Sequence, residues 1–526
     1  MSSRSPQPSL AIVHEPLPPT GAAAGLPRYR QLAGLYEQAI ASGSLVPGMR
    51  LPSVRELCQR HGVSLTTALQ VLRHLEGQGC VEARERVGYF VRSTGRSDAL
   101  PSVREPELHE PLAPDPHVFA GINERISLFL EKARRAGPGV LDLGSAMPAP
   151  SLFDATALNR LAARLLREQP DILVYGPSAP TTHAEFQQAM ARHALGFGVS
   201  LSPDEIGATH GNSEAVNLAL DAIAEPGDVI AVESPTFFGI LQAIEVRGLR
   251  ALEIPSSPRT GISLEALELA ARNEPRLKGV VVVPHLQMPL GSVMPDSHKE
   301  RLVALCVEYG MALIEDDIYR EFVESPQPLR PAKAWDRPGE AGQVIYCASL
   351  SKSFAPGLRQ GWMSAGRWHA RVQMLKFART RNMQSWSQLL AARSVDSPDY
   401  ERHMRRMRLQ LREQREASAR AIARYFPPGT RLSLPPGGIS LWMELPPGIS
   451  TSRLYDEALA RGIRVAPGSM FSNTGRYEHF LRMSCGMPFT PQVEAGYRVL
   501  GELMAVQQRP AAAVALHAAR LGGLRA

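Results

Sequence analysis

A chain of 526 residues is too long for a single hydrophobic core, and two or three domains are expected. Its composition, 44% hydrophobic and 21% charged, is that of an ordinary soluble protein, and no run of about 18 apolar residues suggests a membrane span. The net charge of +7 permits nucleic-acid binding; nine Arg and no Lys against five Glu and no Asp leave +4 of it between Arg28 and Arg92. Five scattered cysteines with no Cys-x-x-Cys pair argue for reduced thiols in the cytoplasm, and against a disulfide framework or a metal site.

Residues 1–27, rich in Ser, Pro and Ala, lack the order of a signal peptide and read as a disordered tail. Residues 28–92 form one unit. The spacing predicts a helix over Tyr29 to Ala41, with Leu32, Leu35, Tyr36 and Ile40 on one face. Pro47-Gly48 makes a turn, and Ser53 with Glu56 fits a capping box on a helix ending near His61-Gly62. Ser64 caps the next helix, whose Ala68, Val71, Leu72 and Leu75 follow the apolar spacing of a buried stripe. Gly77 to Gly79 stops it, and Val81 to Val91 suits a short hairpin wing.

Residues 93–117 carry prolines at 101, 106, 111, 114 and 116 and read as a semi-extended linker. Residues 118–507 alternate apolar strands with helical stretches, the last part from about 395 reading as a smaller subdomain. Strands are expected at Val229–Glu233, Val280–Pro284, Ala312–Glu315 and Val344–Ala348, in a mostly parallel sheet covered by helices on both faces. Residues 508–526 read as a loose tail.

In the N-terminal unit the second helix of the pair suits the major groove of double-stranded DNA. Ser64, Thr66, Thr67 and Gln70 lie near its outward, N-terminal side. Arg55, Arg84 and Arg86 suit phosphates or groove edges, and Gly88 lets the wing approach the backbone closely. The run from Ile40 to Leu57, then Gly62-Val-Ser-Leu-Thr-Thr67 and Gly88-Tyr-Phe-Val91, resembles the GntR-type winged helix-turn-helix. That family usually carries Arg where this chain has Leu65.

Lys352 stands in the run from Ala348 to Arg359, behind Ser349 and Ser351 and seven positions before Arg359. A lysine amine beside hydroxyls and a guanidinium is what pyridoxal phosphate needs for its aldehyde and phosphate. Gly211, Asn212 and Ser213 follow one strand and open a helix, which suits a phosphate. Asp316 suits the cofactor's ring nitrogen, Tyr319 its phenolic oxygen, and Phe237 the ring face. His285 and Cys485 read as packing residues, and the arginine run from Arg402 to Arg415 as a solvated helix face.

Together these segments resemble the fold-type I aminotransferases, an α/β fold with large and small subdomains. With the N-terminal unit attached, the chain resembles the MocR subfamily of GntR regulators. That resemblance implies Lys352 as the residue bonded to the cofactor, Asp316 on its ring nitrogen, and Ser349, Ser351 and Arg359 on its phosphate. It also implies Arg482 for an effector's carboxylate, Tyr175 reaching a neighbouring subunit's site, and a homodimer. One departure is Met288, in Gln287-Met288-Pro289-Leu290-Gly291, where the family places an asparagine that bonds the phenolic oxygen. A thioether is a weak acceptor and no donor. The expected function is a cofactor-dependent transcriptional regulator that senses pyridoxal phosphate or an amino compound. The alternative is a working aminotransferase acting on an amino acid.

Overall fold

In the computed structural model the described residues are 27–84, 87–92, 121–137, 139–174, 181–325, 327–336 and 342–508. The chain divides into two units, Met1–Arg96 and Ser97–Ala526. The expected 1–27 tail, 93–117 linker and 508–526 tail lie almost wholly outside the described residues.

The first unit holds α1 (Arg28–Ala41), α2 (Val54–His61), α3 (Leu65–Gly77) and the antiparallel pair β1 (Val81–Arg84) and β2 (Gly88–Val91). The capping box on α2 forms as expected: Glu56 N–H donates to Ser53 Oγ at 3.3 Å, and Ser53 N–H to Glu56 Oε2 at 2.6 Å. Gly62 then ends α2 in the left-handed region at φ 60°. All four expected apolar positions of α3 are buried. On α1 the buried residues are Leu32, Ala33 and Tyr36, while Leu35 is 36% exposed. The small Ala33 takes the place expected of Leu35, and Tyr36 completes the contact by bonding His61 through its hydroxyl at 2.9 Å.

After the short strand β3 (Leu141–Asp142), strands β4 (Ile206–His210), β5 (Val229–Ser234), β6 (Arg250–Ser257), β7 (Gly261–Ile262), β8 (Leu277–Val282), β9 (Ala312–Asp316), β10 (Val344–Ser349) and β11 (Gln360–Ser364) form one sheet. Their order is β4-β11-β10-β9-β8-β5-β6-β7. The interior pairs β6-β5, β5-β8, β8-β9 and β9-β10 are parallel; β11 runs antiparallel to both its neighbours, and β7 to β6. This is the mostly parallel sheet expected, and β8 begins three residues earlier than the apolar run suggests because Leu277 is already paired with Val229. Strands buried on both faces read as continuous apolar runs, here Ile230, Val232, Val280–Val282, Leu313 and Ile345.

A second, four-stranded antiparallel sheet follows, with Ser440–Glu444 and Phe480–Ser484 at its centre. Its core of Leu441, Met443, Leu481 and Met483 packs with Ile422, Tyr497 and Leu500 from the helices Pro398–Tyr425 and Pro491–Gln507. The arginines on the first of these helices are not uniformly solvated. Arg402 is exposed beside Asp399, but Arg412 Nε donates to Glu324 at 2.6 Å and Arg415 is buried, bonded to Glu324 and, at 3.3 Å, to the carbonyl of Gly438. The helix turns this C-terminal part inward against the 321–324 and 435–438 loops, so the expectation of a solvated face is corrected for that half.

Ser53→Ala removes one half of the α2 cap and is expected to lower the stability of the first unit by about 1 kcal/mol. Urea unfolding of the full chain, followed through probes on both units, checks this; an unchanged midpoint for the first unit contradicts it.

Candidate functional site

The carboxyl ends of the parallel strands carry the chemistry. Asp316 closes β9, Ser349 closes β10, and the turn after β10 carries Ser351 and Lys352. Ser349 Oγ donates to the carbonyl of Gln360 at 3.0 Å and lies 3.0 Å from Ser351 Oγ, so the two strand ends β10 and β11 are stitched together. Arg359 adopts the left-handed region at φ 50° between them. Gly211 stands in the left-handed region at φ 72°, which favours glycine, and a Cβ built on it would crowd the guanidinium, 3.0 Å from its Nη2. Gly361 packs more tightly still, a Cβ there falling 2.6 Å from the carbonyl carbon of Gly211. Arg359 therefore sits at the N-terminus of the helix Gly211–Ile223, whose first residues are Gly211, Asn212 and Ser213. Unsatisfied amides, a helix dipole and a guanidinium converge there, a site made for an anion such as phosphate.

Asp316 is buried, and its Oδ1 has no hydrogen-bond partner; nor does Oδ1 of the buried Asn212. Burial pushes the Asp316 carboxyl from an ordinary 3.8 up to about 7, with the charge of Asp317 adding to it, while the amide of Ile318, Asn212 and Lys352 pull it down. Burial likewise pulls the Lys352 amine down to about 8, and the nearby Arg482 and Arg359 add to this. At pH 7 roughly one Lys352 amine in ten is thus an unprotonated nucleophile, far more than for a lysine in water. Its Nζ donates to the carbonyl of Ala146 at 2.5 Å and touches Met147 Sδ at 2.7 Å. Tyr319 is buried between Asp316 and Arg482, and its hydroxyl is pushed well above its usual range by burial. Phe237 precedes the helix Phe238–Glu245; its ring lies where a Cβ on Gly239 would collide at 2.5 Å.

Arg482, on the central strand Phe480–Ser484, is 2% exposed. Its guanidinium bonds the carbonyl of Gly144, lies 5.3 Å from the ring of Phe471 and contacts Met288 Sδ at 3.7 Å, while its Nε has no partner. Met288 also accepts from Ser440 Oγ at 3.4 Å, and it lines a small cavity together with Tyr319 and Ser440. Tyr175 and Arg86 lie outside the described residues.

A second set of residues was not anticipated as functional. Asp317 faces away from Asp316 and bonds His285 Nδ1 at 2.6 Å, Arg320 Nε at 2.8 Å and Tyr346 Oη at 2.8 Å. Burial pushes this carboxyl up, yet His285 and Arg320 hold it below the ordinary range. His285 is therefore part of a buried charged network rather than a packing residue only, and it reaches Lys299 at 3.1 Å. Glu233, buried at the end of β5, accepts from Val283 N–H at 2.9 Å, and burial pushes it up to about 8. The adjacent Asp316-Asp317 pair after a strand was the available sequence signal for this network. Nothing local marks the segment Gly144–Met147, which meets both Arg482 and Lys352.

In the first unit, the Ser64 cap accepts from Thr67 N–H at 3.2 Å, and the two hydroxyl oxygens lie 2.9 Å apart. Ser64 and Thr67 are thus engaged with each other, whereas Thr66 and Gln70 are exposed. Arg55 is exposed on α2; Arg84 pairs with Glu82 at 2.7 Å and covers the ring of Phe90 at 4.4 Å. Gly88 stands at φ 123°, and a Cβ on it would meet Arg50 Nε at 3.1 Å. The glycine therefore lets Arg50 lie against the wing.

Pyridoxal phosphate carries a ring nitrogen, a phenolic oxygen, an aldehyde and a phosphate, and the residues present fit each. The unpartnered Asp316 oxygen suits the nitrogen, Tyr319 the phenolic oxygen, Lys352 the aldehyde, and the Gly211–Arg359 cradle the phosphate. Residues 140–492 match the family aminotransferase class I and II, and residues 28–91 match bacterial regulatory proteins, gntR family. The chain is 36% identical to the HTH-type transcriptional regulator YdcR of Escherichia coli over 92% of this chain and 99% of that one. The α-aminoadipate aminotransferase LysN of Thermus thermophilus, solved with N-(5'-phosphopyridoxyl)-L-leucine, superposes with a TM-score of 0.65 at 28% identity, covering 72% of this chain and 95% of its own. Kynurenine aminotransferase of Pyrococcus horikoshii gives a TM-score of 0.67 at 25% identity over 73% and 95% of the two chains.

A carboxyl with a native pKa above its unfolded value holds extra protons in the folded state, so stability falls as pH rises between the two. In the cofactor-free protein, Asp316 is expected to add such a loss between its ordinary 3.8 and about 7. The slope is at most about 1.4 kcal/mol per pH unit. Chemical unfolding of wild type and Asp316→Asn across this range checks it: the variant's profile should be flatter, and parallel profiles contradict the expectation.

Proposed function

The chain belongs to the class I and II aminotransferase family in the form headed by a gntR-type domain, the MocR-type transcriptional regulators, and on that footing we propose that it binds pyridoxal phosphate through Lys352 and regulates transcription in response to an amine. The observation that carries this reading is the convergence of Lys352, Asp316 and Arg359, at strand ends of the large sheet, with Arg482 from the second sheet, polar atoms of Asp316, Asn212 and Arg482 being left unpartnered. Pyridoxal phosphate, when bound, supplies an aldehyde that condenses with primary amines and a ring that withdraws electrons from the attached carbon.

The chain's own residues do the rest. Asp316 holds a proton at the ring nitrogen, Arg359 with Ser349, Ser351 and the amides near Asn212 and Ser213 neutralises the phosphate, and Phe237 confines the ring. Lys352 presents an amine that is partly unprotonated near neutral pH and can exchange with an incoming amine. Arg482 offers two planar donors to a carboxylate, and the Gly144 carbonyl gives way to that carboxylate. An amino acid is therefore the favoured effector class. Binding of duplex DNA falls to the first unit, through α3 and the wing. The family's homodimer, the shared site at Tyr175 and a cytoplasmic setting belong to the same reading. Retained transamination is the second reading, favoured by the depressed amine of Lys352, which suits proton transfer as well as condensation.

Lys352→Ala is expected to abolish the cofactor's protein-bound absorbance and the effect of amino acids on DNA binding, while gel shifts on duplex DNA persist. An amino-acid response that survives the substitution contradicts the reading. Arg482→Ala should weaken the response to amino acids by at least about tenfold, as expected for a lost charge-assisted pair, but spare that to simple amines; equal losses contradict carboxylate recognition. Met288→Asn restores a donor near the phenolic oxygen and should lower the pH midpoint of the visible spectrum; an unmoved midpoint argues against the role given to Met288.

A further inference from the structure

We propose that Leu65 reads a thymine in the major groove by packing against its 5-methyl group; this rests on the DNA-binding reading above and adds to it the base and the residue. Leu65 is the first residue of α3 and is 60% exposed. The core side of α3 is taken by Ala68, Val71, Leu72 and Leu75, so Leu65 has no place in that packing. Residues at the N-terminal end of the second helix in this motif come nearest to base edges.

The chemistry of its neighbours narrows the base. In the first two turns of α3 the exposed side chains are Leu65, Thr66 and Gln70. The hydroxyls of Ser64 and Thr67 lie 2.9 Å apart and serve the helix cap. Guanine O6 and N7 are taken by Arg or Lys, and cytosine N4 by Glu or Asp. Neither kind of residue is among the three. An amide suits adenine, and an apolar side chain suits the thymine methyl, the one hydrocarbon group on a major-groove edge. Leucine at this position also leaves apolar surface in water in the unbound protein, and contact with a methyl removes it. A lone exposed leucine is ordinary elsewhere on a surface. Here it stands at the reading end of the helix beside Gln70, whose amide suits the adenine of the same A·T pair, while the exposed Arg73 stands more than two turns further along.

The test begins with selection of duplexes from a randomised pool by the full-length protein. The recovered site is remade with uracil replacing each thymine singly, which deletes only the methyl. Wild type, Leu65→Ala and Leu65→Gln are then titrated on each duplex. The expected result is one thymine whose replacement weakens the wild type about fourfold, the loss from one methyl's burial, and leaves both variants unaffected. Uracil tolerated at every position, or a loss of the same size in the variants, overturns the inference while DNA binding stands. A pool from which no duplex is retained overturns the DNA-binding reading and this inference with it.

Discussion

Asp316 is buried at the end of β9 with one carboxyl oxygen unpartnered, and a packed core tolerates such a group only when something repays its desolvation. The surroundings do not neutralise it by pairing alone: Asp317, one residue on, is kept charged by His285 and Arg320 and pushes Asp316 further up. Lys352 stands in the complementary position, an amine held out of water near two guanidinium groups. On the proposed reading a cation on a bound ring would answer the carboxyl, and loss of the amine's charge would answer the lysine. The body is thus arranged for a ligand that brings a basic nitrogen, an electrophile and a phosphate at once.

The same constraint explains why the site is built at strand ends. Parallel strands stop where their amides and the following helix N-terminus remain unsatisfied, and the turn after β10 inserts Ser351 and Lys352 at that point. Glycine at 239 and 361 then lets the Phe237 ring and the Gly211 backbone approach more closely than a Cβ allows. Sensing asks more than binding. A ligand biases DNA affinity only if it binds two states of the protein differently, and on the proposed reading the Gly144–Met147 segment, bonded to both Arg482 and Lys352, is the element that an amino acid would displace.

Much of this was legible in the sequence because the signals are local. The Ser53 and Glu56 box, the Gly62 stop and the α3 stripe depend on neighbours a few positions apart, and each formed. Lys352, Asp316 and Arg359 follow strands whose apolar runs are plain. What was missed depends on distant pairing. Ala146 meets Lys352 across 206 positions, and no pattern near either residue announces it. The arginines of the helix Pro398–Tyr425 look alike in sequence, yet Arg402 is solvated and Arg415 buried, because only the latter faces Glu324 and Gly438. His285 read as packing because its partner Asp317 lies 32 positions away.

Lys352 as the point of covalent attachment is the claim on which sensing depends. Borohydride reduction of the protein loaded with pyridoxal phosphate, followed by peptide mass mapping, tests it directly. A cofactor-derived mass on the peptide containing Lys352, at close to one per chain, is the result expected. A mass on another lysine, or on none, contradicts it.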